Sequence, residues 1–232
     1  MDARHRAGVR RACGGFTPWQ CRQRSLSNGS SMTAPALTAG PARRTSTVFV
    51  ATAFVAAAAS MLMGSMLAMW LDFRAKAPTR VASDGVSLIK DWLKKDVAIP
   101  EVAATTLMFT FVIACVMAQW AVYSARRGDK SHTTLALGIT MFTGLAIINA
   151  QVALWMQIDL VLRNDAYETM FYAITGTMMA IIVSAVVYSL VAMFRVLAGR
   201  VADHDVLRAH SLYWYAVSGM FAAMWFVVYV QK

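Results

Sequence analysis

A run of 25 residues, 170–194, carries no charged side chain. At a rise of about 1.5 Å per residue it spans about 38 Å, more than the roughly 30 Å of a bilayer's hydrocarbon core. Inside lipid every backbone N–H and C=O must find its partner within the segment, so the run reads as a transmembrane helix. Gly176, Ala180 and Ser184 recur at intervals of four and share one face. That spacing predicts a second helix packed closely on them, because packing drives association where lipid tails already solvate Leu and Val. The alternative is that small residues are simply frequent in this chain.

Four further apolar spans fit around that run, at 47–71, 102–123, 135–158 and 212–230. Each exceeds about 18 residues, enough to cross. The expected fold is therefore all-α, a five-helix transmembrane bundle over residues 46–232. With 58% hydrophobic and 15% charged residues, the composition excludes an ordinary soluble domain. Residues 86–97 have a different pattern. Val86, Ile89, Trp92 and Leu93 share a helical face opposite Lys90, Asp91, Lys94 and Lys95, which predicts a short helix lying in the membrane interface.

Residues 1–45 hold eight Arg beside a single acid, Asp2, and no apolar period, so they are expected to be a disordered basic tail. Such a composition suits an organellar transit peptide. A true start at Met32 is the favoured reading. The net charge of +10 does not point to nucleic acid, since the bases gather in the tail and the loops. Arg126, Arg127 and Lys130 follow the second span, and Arg195, Arg200 and Arg208 follow the fourth. The loop after the third has only Arg163 beside Asp159, Asp165 and Glu168. The bias predicts an N-terminus inside and a C-terminus outside, although six basic residues between Arg74 and Lys95 run against it. Tyr213, Trp214 and Tyr215, with Trp225 and Tyr229, read as interfacial belts.

No soluble-enzyme signature appears, and no catalytic residue is predicted. No charge falls at mid-span, and His5, His132, His204 and His210 all read as tail or loop, which leaves no histidine for a haem within the bilayer. Met61, Met63, Met66 and Met69 cluster on the first span, and thioethers favour Cu(I); methionine is also a packing residue, which is the preferred reading. Asp203, His204 and Asp205 could hold a metal but read better as a solvated loop. No metal is assigned to this chain. Gln119, Asn149 and Gln151 are the most polar mid-membrane groups, expected to bond across helices or to touch a lipid headgroup or partner subunit.

The order of these features resembles subunit III of the haem-copper (cytochrome c) oxidases in its short five-helix form, over about residues 32–232. The resemblance rests on Phe171-Tyr172 followed by Thr175-Gly176, on Gln151, on Arg127-Gly128-Asp129, on Tyr213-Trp214 with Tyr229, and on Met69 and Arg74. Ala59, Leu154, Met178, Ile181, Tyr215 and Ser218 stand where that family carries carboxylates and histidines, so the chain is similar to a divergent member. The resemblance implies a non-catalytic accessory subunit of a terminal oxidase in the aerobic respiratory chain, in a bacterial cytoplasmic membrane. Its partners would be the oxidase core subunits, which hold the haem and copper, together with membrane lipids. The rival expectations are an accessory subunit of a nitric oxide reductase or another membrane complex, and a stand-alone small transporter.

Overall fold

Five helices long and apolar enough to cross a membrane make up most of the described chain, and the protein is an integral membrane protein of all-α class. The computed structural model describes residues 46–81, 88–90, 92, 101–158, 166–200 and 204–230. The helices are α1 (Thr47–Lys76), α2 (Glu101–Arg126), α3 (Lys130–Gln157), α4 (Ala166–Leu197) and α5 (His204–Met224), the last continuing as a π-helical turn over Trp225–Val230. The basic tail, Asp159, Arg163, Asp165 and Asp203 lie outside the described residues.

Helix ends follow local chemistry. The Ser46 hydroxyl accepts from the Phe49 N–H at the start of α1, and Ala77, extended before Pro78, ends it. Between α2 and α3, Gly128 takes φ 73°. Its N–H reaches the Ala125 carbonyl and the Asp129 N–H reaches the Ser124 carbonyl, a Schellman closure that satisfies the last carbonyls of α2. Asp129 then caps α3 by accepting from the His132 N–H. Gly199, at φ 87°, closes α4 in the same way through Val196 and Arg195. Thus the Arg127-Gly128-Asp129 sequence is a turn with two structural duties.

Residues Leu88–Lys90 form a strand (β2), paired antiparallel with Thr79–Val81 (β1), so the expected interfacial helix is corrected where it can be seen. Ladder pairing with β1 satisfies this backbone through a neighbour, where a helical turn would satisfy it locally. The remainder of 86–97, apart from Trp92, lies outside the described residues.

Helix α5 is the hub. It packs against α1, α2 and α4, while α3 bridges α2 and α4, and α1 is the least buried span. It also begins at His204 rather than at residue 212. Tyr213 and Trp214 are therefore about 15 Å into the helix and buried, not part of an interfacial belt. The seam of α4 is likewise displaced from Gly176, Ala180 and Ser184. Its buried stripe runs through Phe171, Ile174, Met178, Ile182, Ala185 and Ser189. Gly176 has open space where a Cβ would stand, and Ala180 is exposed. The close approach occurs at Gly144 on α3, where a Cβ would lie 2.6 Å from Val186 Cγ2 and 3.1 Å from Trp214 Cη2.

Gly144→Ala is expected to cost about 1–3 kcal/mol, since β-branched Val186 and the Trp214 ring cannot both yield, whereas Gly176→Ala leaves the thermal midpoint of the isolated chain unchanged. Equal midpoints would remove Gly144 from the packing argument. A second expectation concerns the α3 cap. The His132 backbone N–H holds the Asp129 carboxyl below the usual aspartate range. Its stabilising effect is then fully present above the ordinary aspartate pKa and is lost only as pH falls through the lowered value. The His132 amide resonance should titrate with that depressed midpoint, and Asp129→Asn should abolish the titration.

Candidate functional site

The interior holds two polar regions that hydropathy does not reveal. The first lies in the half of the bundle bearing the basic turns. One helical turn separates His210 from Trp214 on α5, so both project toward Ser189 on α4. Ser189 Oγ lies 2.7 Å from His210 Nε2, and Trp214 Nε1 lies 3.0 Å from Ser189 Oγ and 3.1 Å from His210 Nε2. Ser189 also donates to the Ala185 carbonyl at 2.9 Å. The arrangement that leaves no donor unmet has His210 Nε2–H and the Trp214 indole N–H both donating to Ser189, with the His210 Nδ1 bare. The Tyr188 ring meets the imidazole edge to face. His210 is therefore a fully buried helical residue, correcting its expected place in a loop. Ser189 and His210 lie 2.7 Å apart and are both fully buried, so the pair ties α4 to α5.

Around this lock the polar groups pair across helices. Tyr213 meets Ser184 at 2.6 Å, and Cys115 meets Ser218 at 2.9 Å. Gln119 Oε1 accepts from Ser211 and Tyr215, the cross-helix role expected of it. Asn149 and Gln151, two residues apart on α3, point to opposite sides. Asn149 is exposed on the outside of the bundle, and Gln151 is buried.

Gln151 belongs to the second region, at the other end. Trp70, Trp92 and Tyr167 pack with ring centroids 5.0–5.5 Å apart. Phe171 connects Tyr167 to Tyr229. Thr175, below them, accepts from Trp155 Nε1 and donates to the Phe171 carbonyl. Tyr229 faces Gln151 without meeting hydrogen-bond geometry, and it is close enough to Tyr167 to interact electrostatically. Both amide atoms of Gln151, the hydroxyls of Tyr167 and Tyr229 and the indole nitrogen of Trp92 are buried with no hydrogen-bond partner. Leaving such a group unmet costs about 1–3 kcal/mol, and Tyr229 and Gln151 lie near enough to meet each other with a small side-chain shift. Beside Tyr229 opens a cleft of about 120 Å³ lined by Thr105, Trp225, Tyr229 and Val230. Glu168, expected in a loop, is buried in the first turn of α4 at this end.

The structure thus brings Thr175 and Gln151 to one end with Tyr229, and puts Tyr213 and Trp214 in the other half. It leaves Gly176, Ala180 and Asn149 out of both. Met63 is core, Met66 half-buried, and Met61 and Met69 exposed, so the methionine path rotates off a single face. No group of three or more His, Cys, Asp or Glu side chains is placed to hold a metal ion among the described residues. His210, Ser189, Glu168 and Tyr167 were missed by sequence reasoning. The one available signal was the four-residue spacing of His210 and Trp214, hidden by the charges at Asp205 and Arg208. No family model matches this chain, and comparison with characterised proteins finds no match.

Ser189→Ala is expected to lower stability by about 1–3 kcal/mol, because it leaves two buried donors, the His210 and Trp214 N–H groups, without an acceptor. Thermal unfolding in detergent measures it, and an unchanged or higher midpoint would contradict the bonding assigned here.

Proposed function

We propose that this chain is a non-catalytic accessory subunit of a membrane respiratory complex, in the manner of the oxidase subunit III it resembles. The observation that carries the reading is Asn149, a carboxamide well inside the third span and exposed on the outside of the bundle. An amide facing lipid is costly, and a neighbouring subunit would supply its hydrogen bonds. Gly176 and Ala180, open on α4, offer a surface on which another helix could approach. The partner would be the core subunit carrying haem and copper, with lipids filling the remaining perimeter.

An N-terminus inside and C-terminus outside, in a bacterial cytoplasmic membrane, fits this role. In support, the basic turns gather at one end. Lys130 Nζ donates to the Leu197 carbonyl, joining the α2–α3 turn to the end of α4, and Arg208 stacks on Phe49 near the start of α1.

A second reading, a stand-alone small transporter, draws on the buried Gln151, Glu168 and His210. Isolation from native membranes separates the two. The accessory reading expects a haem spectrum from the co-purified partner and none from the chain alone. The spectrum would also tell an oxidase from a nitric oxide reductase. Because a Cβ at Gly176 would meet nothing within the chain, Gly176→Leu should leave the isolated bundle intact yet reduce recovery of the complex in mild detergent. Val187→Leu, on an exposed but already bulky position, should not. Equal recovery of both variants would sink the partner face, and a chain isolated without any haem protein would favour the transporter.

A further inference from the structure

We propose that the gap between α1 and α2 seats an anionic phospholipid, with its phosphate on Arg208, an ester carbonyl on Gln119 and an acyl chain along α5. The inference starts from how the helices surround the hub. Helix α1 packs on α4, α4 on α3 and α3 on α2, with α5 in the middle, but no comparable seam joins α1 to α2. There the hub reaches the outside. Its exposed strip runs through Tyr215, Gly219 and Ala223, between the Arg208–Phe49 stack on the α1 side and the Gln119 bonds on the α2 side. A Cβ at Gly219 would meet nothing, so the floor of the gap is open down to its backbone. The gap lies across the hub from the seam of α3 and α4, and it stays open whichever partner takes the outer face of those two helices.

The chemistry at the mouth selects the occupant. The Arg208 guanidinium is exposed near the basic end and stacks on Phe49, with no ion pair among the described residues. A phosphate diester supplies the two oxygens that its fork is shaped to hold. Deeper in the gap, Gln119 Oε1 already accepts from Ser211 at 3.0 Å and from Tyr215 at 3.3 Å. That leaves the exposed Gln119 NH2 as a donor with no acceptor among the described residues, and lipid tails offer none. An ester carbonyl accepts and cannot donate, so it fits this end of the amide. The spacing suits a single molecule. Ser211 and Tyr215 follow Arg208 on α5 and lie about 5–10 Å deeper along it. The polar layer of one leaflet is about 5–8 Å thick, so a phosphate at Arg208 brings its own ester groups level with Gln119. Beyond them, Gly219 and Ala223 leave room for a chain.

The test uses the full chain in detergent, stripped of lipid, and reads its thermal midpoint with dioleoyl phosphatidylglycerol, dioleoyl phosphatidylcholine or glycerol 3-phosphate added. At about a hundredfold excess over its dissociation constant, phosphatidylglycerol should raise the midpoint by about 5–10 °C. Phosphatidylcholine, whose choline neutralises the phosphate, should raise it less. Glycerol 3-phosphate has the anion without the chains and should leave it level. Arg208→Gln should remove the preference for phosphatidylglycerol, whereas Arg200→Gln, at an exposed cation past the end of α4, should keep it. Gly219→Leu fills space that is open within the chain, so it should abolish the shift by either lipid without lowering the lipid-free midpoint. The ether-linked analogue of phosphatidylglycerol lacks the carbonyls and should stabilise the wild type less than the ester does, a difference that Gln119→Leu erases. A shift kept in full by Arg208→Gln or by Gly219→Leu would overturn the proposal, as would equal shifts from the two phospholipids or from glycerol 3-phosphate. Arg208 is exposed and outside the core, so its variant keeps the test decisive should Gly219→Leu or Gln119→Leu fail to fold.

Discussion

The indole of Trp214 occupies the room that Gly144 leaves on α3, and most of the bundle is arranged about that contact. Any larger residue at 144 would push α3 away from Val186 and Trp214, and with it the seam between α3 and α4. The same indole donates toward Ser189 and His210, so one side chain fills the void against α3 and ties α5 to α4. Close packing in an apolar medium depends on such shape matches, because burial of Leu or Val from lipid supplies little drive of its own. This explains why α5, the least uniformly apolar of the spans, lies at the centre. It carries the polar atoms that lipid would not tolerate, and its neighbours satisfy them.

The two ends of the bundle solve the polar problem differently. In the basic half, hydroxyls, amide and imidazole are matched across helices: Ser189 with His210, Ser184 with Tyr213, Gln119 with Ser211, and Ser124 with Thr133. That half reads as a rigid lock. At the opposite end an aromatic cluster of Trp70, Trp92, Tyr167, Phe171 and Tyr229 surrounds groups that the chain itself does not satisfy. Packing is dense there, yet hydrogen bonding is incomplete, and native proteins rarely leave buried polar groups in that condition. The asymmetry separates a half whose polar groups are paired across helices from an end held mainly by aromatic packing.

The outward side chains form a third group. Asn149 and Ala180 are exposed, Gly176 has open space where a Cβ would stand, and none of the three joins the interior polar regions. Their place on the perimeter is why the proposed accessory role rests on them.

Five membrane-crossing helices were legible in the sequence, since length and lack of charge limit what backbone can survive in lipid, and no later contact alters that constraint. The Gly128 turn was visible as a motif, and its left-handed backbone supplies the reason. Which face of each helix turns inward was not legible. The apolar residues surround these helices on all sides, so periodicity carries little directional information, and nothing in it marked Gly144 as the close contact. The extent of α5 was hidden because His204, Asp205 and Arg208 resemble a loop to any hydropathy reading, while packing draws His210 into the interior. Residues 88–90 resembled an amphipathic helix until the neighbouring strand offered its ladder. Sequence by itself therefore determined which segments are long and apolar enough to cross, because that depends on local solvation. Tertiary structure decided the hub, the lock and the unmet polar groups, because those depend on which distant side chains come within hydrogen-bonding distance of one another.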